Sequence, residues 1–263
     1  MSKLLEKLEL LSEGRAQPLG FGAAAARAKS PQMVVVASVP AGDIKLVTTT
    51  IKAGADAVLV TIEHESKKEE ALSQLSRTKI EIPWGVSLDK VTREEARQLA
   101  EIGCDFVVFA PAETPATFLG EERIGKVLRL DASLEDSLTR TINRLSVDAI
   151  LLSRAGEEQS PLTVHQLMVY ERLAASAGKY LLADMPPGLP TDDVESLWEL
   201  GVRGLVVDLA VKDPEQRLSQ VQEAIQKLPT TRKKKRGGIA ATLPLAGAQS
   251  EITQPDEDDE EDI

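Results

Sequence analysis

Acidic and polar side chains recur at the ends of short apolar runs in this chain. Ser87 and Asp89 follow one run, Asp184 follows another, and Asp208 lies near the end of a third. Grouped carboxylates could hold Mg²⁺ or Mn²⁺, which prefer oxygen ligands, or could tune one another's pKa for proton transfer. Such residues also cap helices, which is the competing explanation. The candidate catalytic residues are Glu63, Asp131, Asp184 and Asp208.

One arginine lies inside an apolar run, which is unusual for a charged side chain. Arg129 falls on the same side of a strand as Val127 and Asp131, because side chains alternate along a strand. A buried guanidinium requires a partner, and Asp131, Asp184 or Glu63 could supply one.

The same arginine could instead bind the substrate. A guanidinium group can clamp a carboxylate or phosphate through two parallel hydrogen bonds. Arg154 follows the next apolar run and could assist, and Ser87 completes the candidate substrate-binding set with Arg129. The sequence leaves the structural ion pair and the anion clamp open.

Several other chemistries have little support in the sequence. The chain has two histidines and one cysteine, too few for a typical zinc site. His64 could act as a general base or could be an exposed loop residue, and His165 is expected on a helix surface. Cys104 is expected to be a small core residue. None of the apolar runs carries a lysine at its end, which disfavours a Schiff-base aldolase.

The elements that would position these residues are marked by a repeated phrase. Gly-x-Asp, or a close variant, stands between a helix end and an apolar run in segments that begin at residues 53, 102, 145 and 200. The spacing fits two strand-helix units per copy, because parallel strands need a crossover of a dozen or more residues. Four copies therefore predict eight units.

Eight apolar runs are present, and they are nearly continuous, as expected of parallel strands buried on both faces. Helix signals alternate with them, including a capping-box pair at Thr92 and Glu95. An open doubly wound sheet could share this pattern, but eight units favour a closed (β/α)8 TIM barrel. The predicted strands are Met33 to Val39, Ala57 to Ile62, Pro83 to Leu88, Phe106 to Ala110, Val127 to Leu130, Ala149 to Leu152, Tyr180 to Ala183 and Leu205 to Leu209.

The chain divides into three predicted segments. Residues 1–30 contain an amphipathic helix, Lys3 to Ser12, that should cover the amino-terminal mouth of the barrel or form a contact in a homo-oligomer. Residues 31–229 form the barrel, and the length of 263 residues suits one such domain. Residues 230–263 carry a basic run and then an acidic run without periodicity, which predicts a disordered tail.

Charge and hydropathy limit the partners. The net charge of −11 disfavours nonspecific binding to DNA, and no apolar run is long enough for a membrane helix. A cytoplasmic protein without DNA or membrane partners is the default expectation.

The repeated helix-Gly-x-Asp-strand phrases, above all Ala53 to Val60 and Leu200 to Val207, resemble those of TIM-barrel superfamilies of small-molecule enzymes. The likeness is loosely to the phosphate-binding barrels. In such barrels the resemblance implies glycine-rich loops after strands seven and eight that bind phosphate. This chain departs from that pattern, because prolines 186 and 187 lack N–H groups and Asp208 would repel a phosphate.

These observations predict an enzyme or ligand-binding barrel that acts on a small anionic metabolite at the carboxyl ends of its strands, where barrel active sites lie. A metal-assisted lyase or isomerase reaction is compatible with the candidate residues. The alternative is a noncatalytic scaffold or regulator whose charged tail binds a protein partner.

Overall fold

Eight parallel strands close into a barrel in which each strand pairs with its neighbours in the chain and β1 pairs with β8. This arrangement confirms the predicted (β/α)8 TIM barrel. The strands are β1 (Val34–Pro40), β2 (Ala57–Thr61), β3 (Trp84–Leu88), β4 (Phe106–Phe109), β5 (Gly125–Leu130), β6 (Ala149–Leu152), β7 (Tyr180–Met185) and β8 (Gly204–Asp208).

The computed structural model of the chain describes residues 2–12, 31–62, 66, 68–131, 136–153, 161–187 and 190–229. All of them belong to one compact unit, Met1–Arg232. A second unit, Lys233–Ile263, and with it the predicted charged tail, lies outside the described residues.

The helices alternate with the strands, as predicted, except between β4 and β5. That connection contains a 3-10 helix, Ala116–Gly120, instead of an α-helix. No helix in the described ranges is long and apolar enough to span a membrane. The α-helices are α1 (Lys3–Ser12), α2 (Ile44–Lys52), α3 (Lys68–Arg77), α4 (Arg93–Glu101), α5 (Asp136–Thr141), α6 (Val164–Ser176), α7 (Asp193–Glu199) and α8 (Pro214–Lys227).

Local signals explain several helix boundaries. Thr92 and Glu95 form the predicted capping box at the start of α4. Gly54, Gly103 and Gly201 adopt the left-handed backbone that ends helices α2, α4 and α7. A second capping box, formed by Thr163 and Gln166, begins α6.

Strand β5 begins two residues earlier than the apolar pattern predicts. Lys126 is buried there, and its ammonium group donates to the carbonyl oxygens of Leu119 (3.3 Å) and Glu121 (2.7 Å). A hydropathy pattern misses this strand start because it treats lysine as a surface residue, whereas these hydrogen bonds allow Lys126 to be buried in the core.

Two hydrophobic clusters form the core. The larger lies between the strands and the surrounding helices, and the smaller fills the amino-terminal half of the barrel interior. Leu4, Leu5 and Leu8 of α1 belong to the inner cluster, so this helix covers the amino-terminal mouth. Gly125 gives α1 room, since a Cβ there would lie 2.8 Å from the Cβ of Ser2.

The aspartate of the second repeated phrase caps helix α1. The Asp105 carboxylate accepts hydrogen bonds from the backbone N–H groups of Lys3 (2.7 Å) and Leu4 (3.0 Å) and from the Ser2 hydroxyl (2.7 Å). These N–H groups have no partner within the helix, and a carboxylate also interacts favourably with the positive end of the helix dipole. Asp105 therefore fixes where α1 begins on the barrel.

Replacing Asp105 with alanine should loosen α1 and lower the free energy of unfolding by about 1 kcal/mol, the usual cost of losing a cap. Amide hydrogen exchange in residues 3–12 measures the loosening, and a urea titration measures the stability. Asp148→Ala is the control, because Asp148 occupies the same position in the repeat but accepts from the backbone of Lys126. Equal exchange of α1 in both variants would contradict the capping role.

A buried carboxylate stabilises the β4–β5 connection. Glu121 accepts from Arg123 (2.9 Å) and Arg97 (3.1 Å), and Arg93 lies 3.8 Å away. The hydrogen bond from Arg123 is the main cause that lowers the pKa of Glu121 to about 2, with a further contribution from Arg97, while burial opposes the shift. The cluster attaches this helix-poor connection to α4.

Glu121→Gln should lower stability at neutral pH, with a difference from the unchanged protein that shrinks in acid. The pKa of this carboxyl lies below its ordinary value of 4.5, so its stabilising effect is complete above that pH and declines as the pH falls towards 2. Urea midpoints measured from pH 7 to pH 2.5 test this. Glu81→Gln, which removes an exposed pair with Lys79, should have little effect at any pH.

Candidate functional site

The barrel interior changes from apolar to polar towards the carboxyl ends of the strands. Val36, Leu151 and Val206 belong to the inner apolar cluster, and the next inward position on each of their strands is polar. We call the residues at this level the polar ring. It comprises Ser38, Thr61, Ser87, Arg129, Ser153, Asp184 and Asp208, and only β4 contributes an apolar residue, Ala110, at the same level.

Arg129 connects two strands across the ring. Its guanidinium group donates to the hydroxyl of Ser87 (3.3 Å) and forms a short ion pair with the carboxylate of Asp89. The Ser87 residue is buried, whereas the Asp89 side chain is 73% exposed. The guanidinium has more N–H donors than these two bonds use, and its own side chain is 28% exposed.

This contact differs from the partners expected from the sequence. The sequence predicts Asp131, Asp184 or Glu63 as the partner of Arg129. Among the described residues its ion pair is with Asp89 instead, and Glu63 lies outside them. Asp131 directly follows the last residue of β5 and is exposed. The pairing with Asp89 follows from the barrel's curvature, which brings the ends of β3 and β5 together on the inner side of β4, where Ala110 is the residue at the level of the ring.

Two further contacts order the ring near β1. The hydroxyl groups of Ser38 and Thr61 lie 3.1 Å apart and share a hydrogen bond. The Asp208 carboxylate, which is in register with Ser38, accepts from the backbone N–H of Ala210 (2.8 Å). Asp184 on β7 is partly exposed at the same end of the barrel. The structure thus brings Asp184 and Asp208 to neighbouring strands.

Three of the residues singled out in the sequence, Glu63, His64 and Arg154, lie outside the described residues. Glu63 as a catalytic residue and Arg154 as a substrate ligand therefore stay predictions. Within the described ranges, no group of three His, Cys, Asp or Glu side chains could hold a metal ion. The described carboxylates alone do not fit a divalent metal centre.

Two residues at this end of the barrel, Thr61 and Arg217, were not predicted from the sequence. Thr61 ends β2 within the polar ring, and strand alternation from Leu59 could have identified it. Arg217 of α8 donates to the carbonyl oxygen of Pro186 (3.1 Å), which follows β7, and burial lowers the pKa of this arginine. Arg217 therefore fixes the start of the connection that carries the chain away from Asp184.

The chain matches no known family model and no curated protein. Solved structures do share its fold. A protein from Aquifex aeolicus VF5 aligns with 89% of this chain and 100% of its own, at 12% identity and a TM-score of 0.58.

Two further solved structures are tryptophan synthases. A variant of the alpha-subunit from Pyrococcus furiosus aligns with 74% of this chain and 97% of its own, at 15% identity and a TM-score of 0.56. Tryptophan synthase from M. tuberculosis aligns with 84% of this chain and 97% of the matched chain, at 12% identity and a TM-score of 0.58. At these identities the likeness establishes the TIM-barrel fold alone.

Proposed function

We propose that this chain is a small-molecule enzyme or ligand-binding barrel that acts on an anionic metabolite at the carboxyl ends of its strands. The polar ring is the observation that carries the proposal. Polar residues on seven strands project inward at one end, while apolar side chains and α1 fill the other. A closed barrel gains nothing in core stability from such a ring, and barrel active sites lie at this end.

Arg129 is the proposed site for the anionic group. Its present partner, Asp89, is largely exposed, and an exposed ion pair contributes little free energy. A substrate carboxylate or phosphate could therefore take the place of Asp89 on the guanidinium. The buried Ser87 hydroxyl would hold Arg129 in position during the exchange. Arg154 remains the proposed second cation.

Asp184 and Asp208 are the proposed groups for proton transfer, with Asp131 and Glu63 as further candidates. Carboxylates near an anion-binding arginine suit proton abstraction next to the anionic group, which is the chemistry of many lyases and isomerases. The fold is shared with tryptophan synthase, an enzyme, which supports a catalytic role without indicating the substrate.

The alternative function is a noncatalytic scaffold or regulator whose charged tail binds a protein partner. It stays a prediction from the sequence, because residues 230–263 lie outside the described residues. The polar ring favours the small-molecule function.

Replacing Arg129 with glutamine should weaken anion binding by about tenfold or more, because a hydrogen bond to a charged group contributes roughly 1.5–3 kcal/mol. Asp89→Asn should strengthen it, since the competing carboxylate is lost. Calorimetry on the full chain with a panel of small carboxylates and sugar phosphates measures both effects.

Arg77→Gln is the control for these anion titrations, because Arg77 is an exposed arginine on α3 outside the ring. Anion binding that is the same in the Arg129→Gln variant and the unchanged protein would refute the assignment of Arg129.

Asp184→Asn and Asp208→Asn should lower turnover by about 10²- to 10⁴-fold while changing substrate affinity much less, as expected for groups that transfer protons. Native mass spectrometry of the purified chain can first identify a metabolite that co-purifies, and this metabolite then serves as substrate. Asp131→Asn tests the outer carboxylate in the same assay. Full turnover in both the Asp184 and the Asp208 variants would contradict the proposed catalytic roles.

A further inference from the structure

At the amino-terminal end of the barrel, the residue just before a strand is acidic for some strands and basic for others. Asp56, Asp105 and Asp148 precede β2, β4 and β6, and each accepts a hydrogen bond from a backbone N–H group. The same position holds Lys179 before β7 and Arg203 before β8. Three copies of the repeated phrase thus carry a carboxylate at this position and the fourth carries Arg203, while Lys179 precedes the adjacent strand.

These basic residues line a cleft at the amino-terminal end of the barrel. The cleft has a volume of ≈ 540 Å³ and lies between α1 and the starts of β6, β7 and β8. Leu5, Val147 and Leu181 supply apolar walls, and Glu9 of α1 also lines the cleft. This volume is within the usual range for small-molecule sites.

The Arg203 side chain is unpaired within the described ranges. The residue is partly buried, and burial lowers the pKa of its guanidinium group. Its side chain makes no hydrogen bond or ion pair with any other residue that the structure describes. By contrast, Arg97 and Arg123 at the same end of the barrel both pair with Glu121. Partial desolvation without a partner is unfavourable, and a bound anion would offset it.

Glu9 is the matching unpaired group of opposite charge. Its carboxylate also lacks a partner among the described residues, and it does not come within the 4.0 Å of an ion pair with either basic residue of the cleft. The other two charges are already engaged, because Lys179 donates to the Leu145 carbonyl (3.3 Å) and Asp148 accepts from the Lys126 N–H (2.8 Å). One cation and one anion thus remain available in a single cleft.

We propose that this cleft binds a small zwitterion, an amino-acid-type ligand whose carboxylate pairs with Arg203 and whose ammonium group pairs with Glu9. Two basic and two acidic side chains line the cleft, so a ligand without net charge suits it better than a dianion does. The guanidinium can take the carboxylate through two parallel hydrogen bonds. The apolar walls would accommodate the ligand's side chain.

Because the cleft lies away from the polar ring, such a ligand would act as an effector and not as a substrate. The cleft lies at the opposite end of the barrel from the polar ring, so its occupation does not depend on the function proposed there. Glu9 belongs to α1, whereas Arg203 belongs to the barrel, and a zwitterion that pairs with both groups would connect the helix to the strands. Binding would therefore also reduce amide exchange in α1.

The test is calorimetry on the full chain with each of the common amino acids in turn. We expect at least one to bind with a Kd below about 1 mM, or −4.1 kcal/mol. Arg203→Gln and Glu9→Gln should each weaken that binding by about tenfold or more. Neither side chain has a partner in the part of the chain that the structure describes, so neither replacement should disturb folding. Arg77→Gln and Glu6→Gln, which alter exposed residues on α3 and α1, are the matched controls and should bind as the unchanged chain does.

Three results would overturn the proposal. The first is that no amino acid binds, and the second is binding that Arg203→Gln and Glu9→Gln leave unchanged. The third is equal or tighter binding of inorganic phosphate, or of the same carboxylate without its amino group, because the proposed Glu9 contact would then contribute nothing.

Discussion

Closure of the sheet is the constraint on which the rest of this structure depends. Once β8 pairs with β1, the inward side chains of eight strands enclose a space that must be filled. At the amino-terminal end, Gly125 at the start of β5 leaves room for the beginning of α1. The leucines of α1 complete this half of the interior. The inward positions at the other end do not need apolar side chains to fill the core, so they can carry Arg129, Asp184 and Asp208.

The charged residues have different roles at the two ends of the barrel. At the amino-terminal end, Asp56 and Asp105 are used for backbone N–H groups and for α1, and Glu121 is enclosed by arginines. At the carboxyl end, Arg129 is held by one buried hydroxyl and one exposed carboxylate, an arrangement that another anion can enter. Arg203 is the exception at the amino-terminal end, because its side chain makes no hydrogen bond or ion pair with the residues that the structure describes.

Much of the fold could be predicted because its signals are local. Apolar runs located all eight strands, and the spacing of Leu4, Leu5 and Leu8 placed α1 at Lys3–Ser12. The partners of charged residues could not be predicted in the same way. Strand alternation shows that Arg129 points inward, but Asp89 lies two strands away, and their contact depends on the curvature of the closed barrel. The cap that Asp105 provides to α1 could not be predicted from the sequence either, because about a hundred residues separate the two in the chain.

That separation bears on the order in which the chain can fold. Helix α1 is synthesised before the strands of the barrel, yet the carboxylate that caps it precedes β4, and the apolar residues it packs against include one of β8. A ten-residue helix is only marginally stable alone in water. Contacts so distant in sequence also form late, because a long loop must close before they contribute. Helix α1 is therefore expected to reach its final position only after the barrel around it has nearly formed.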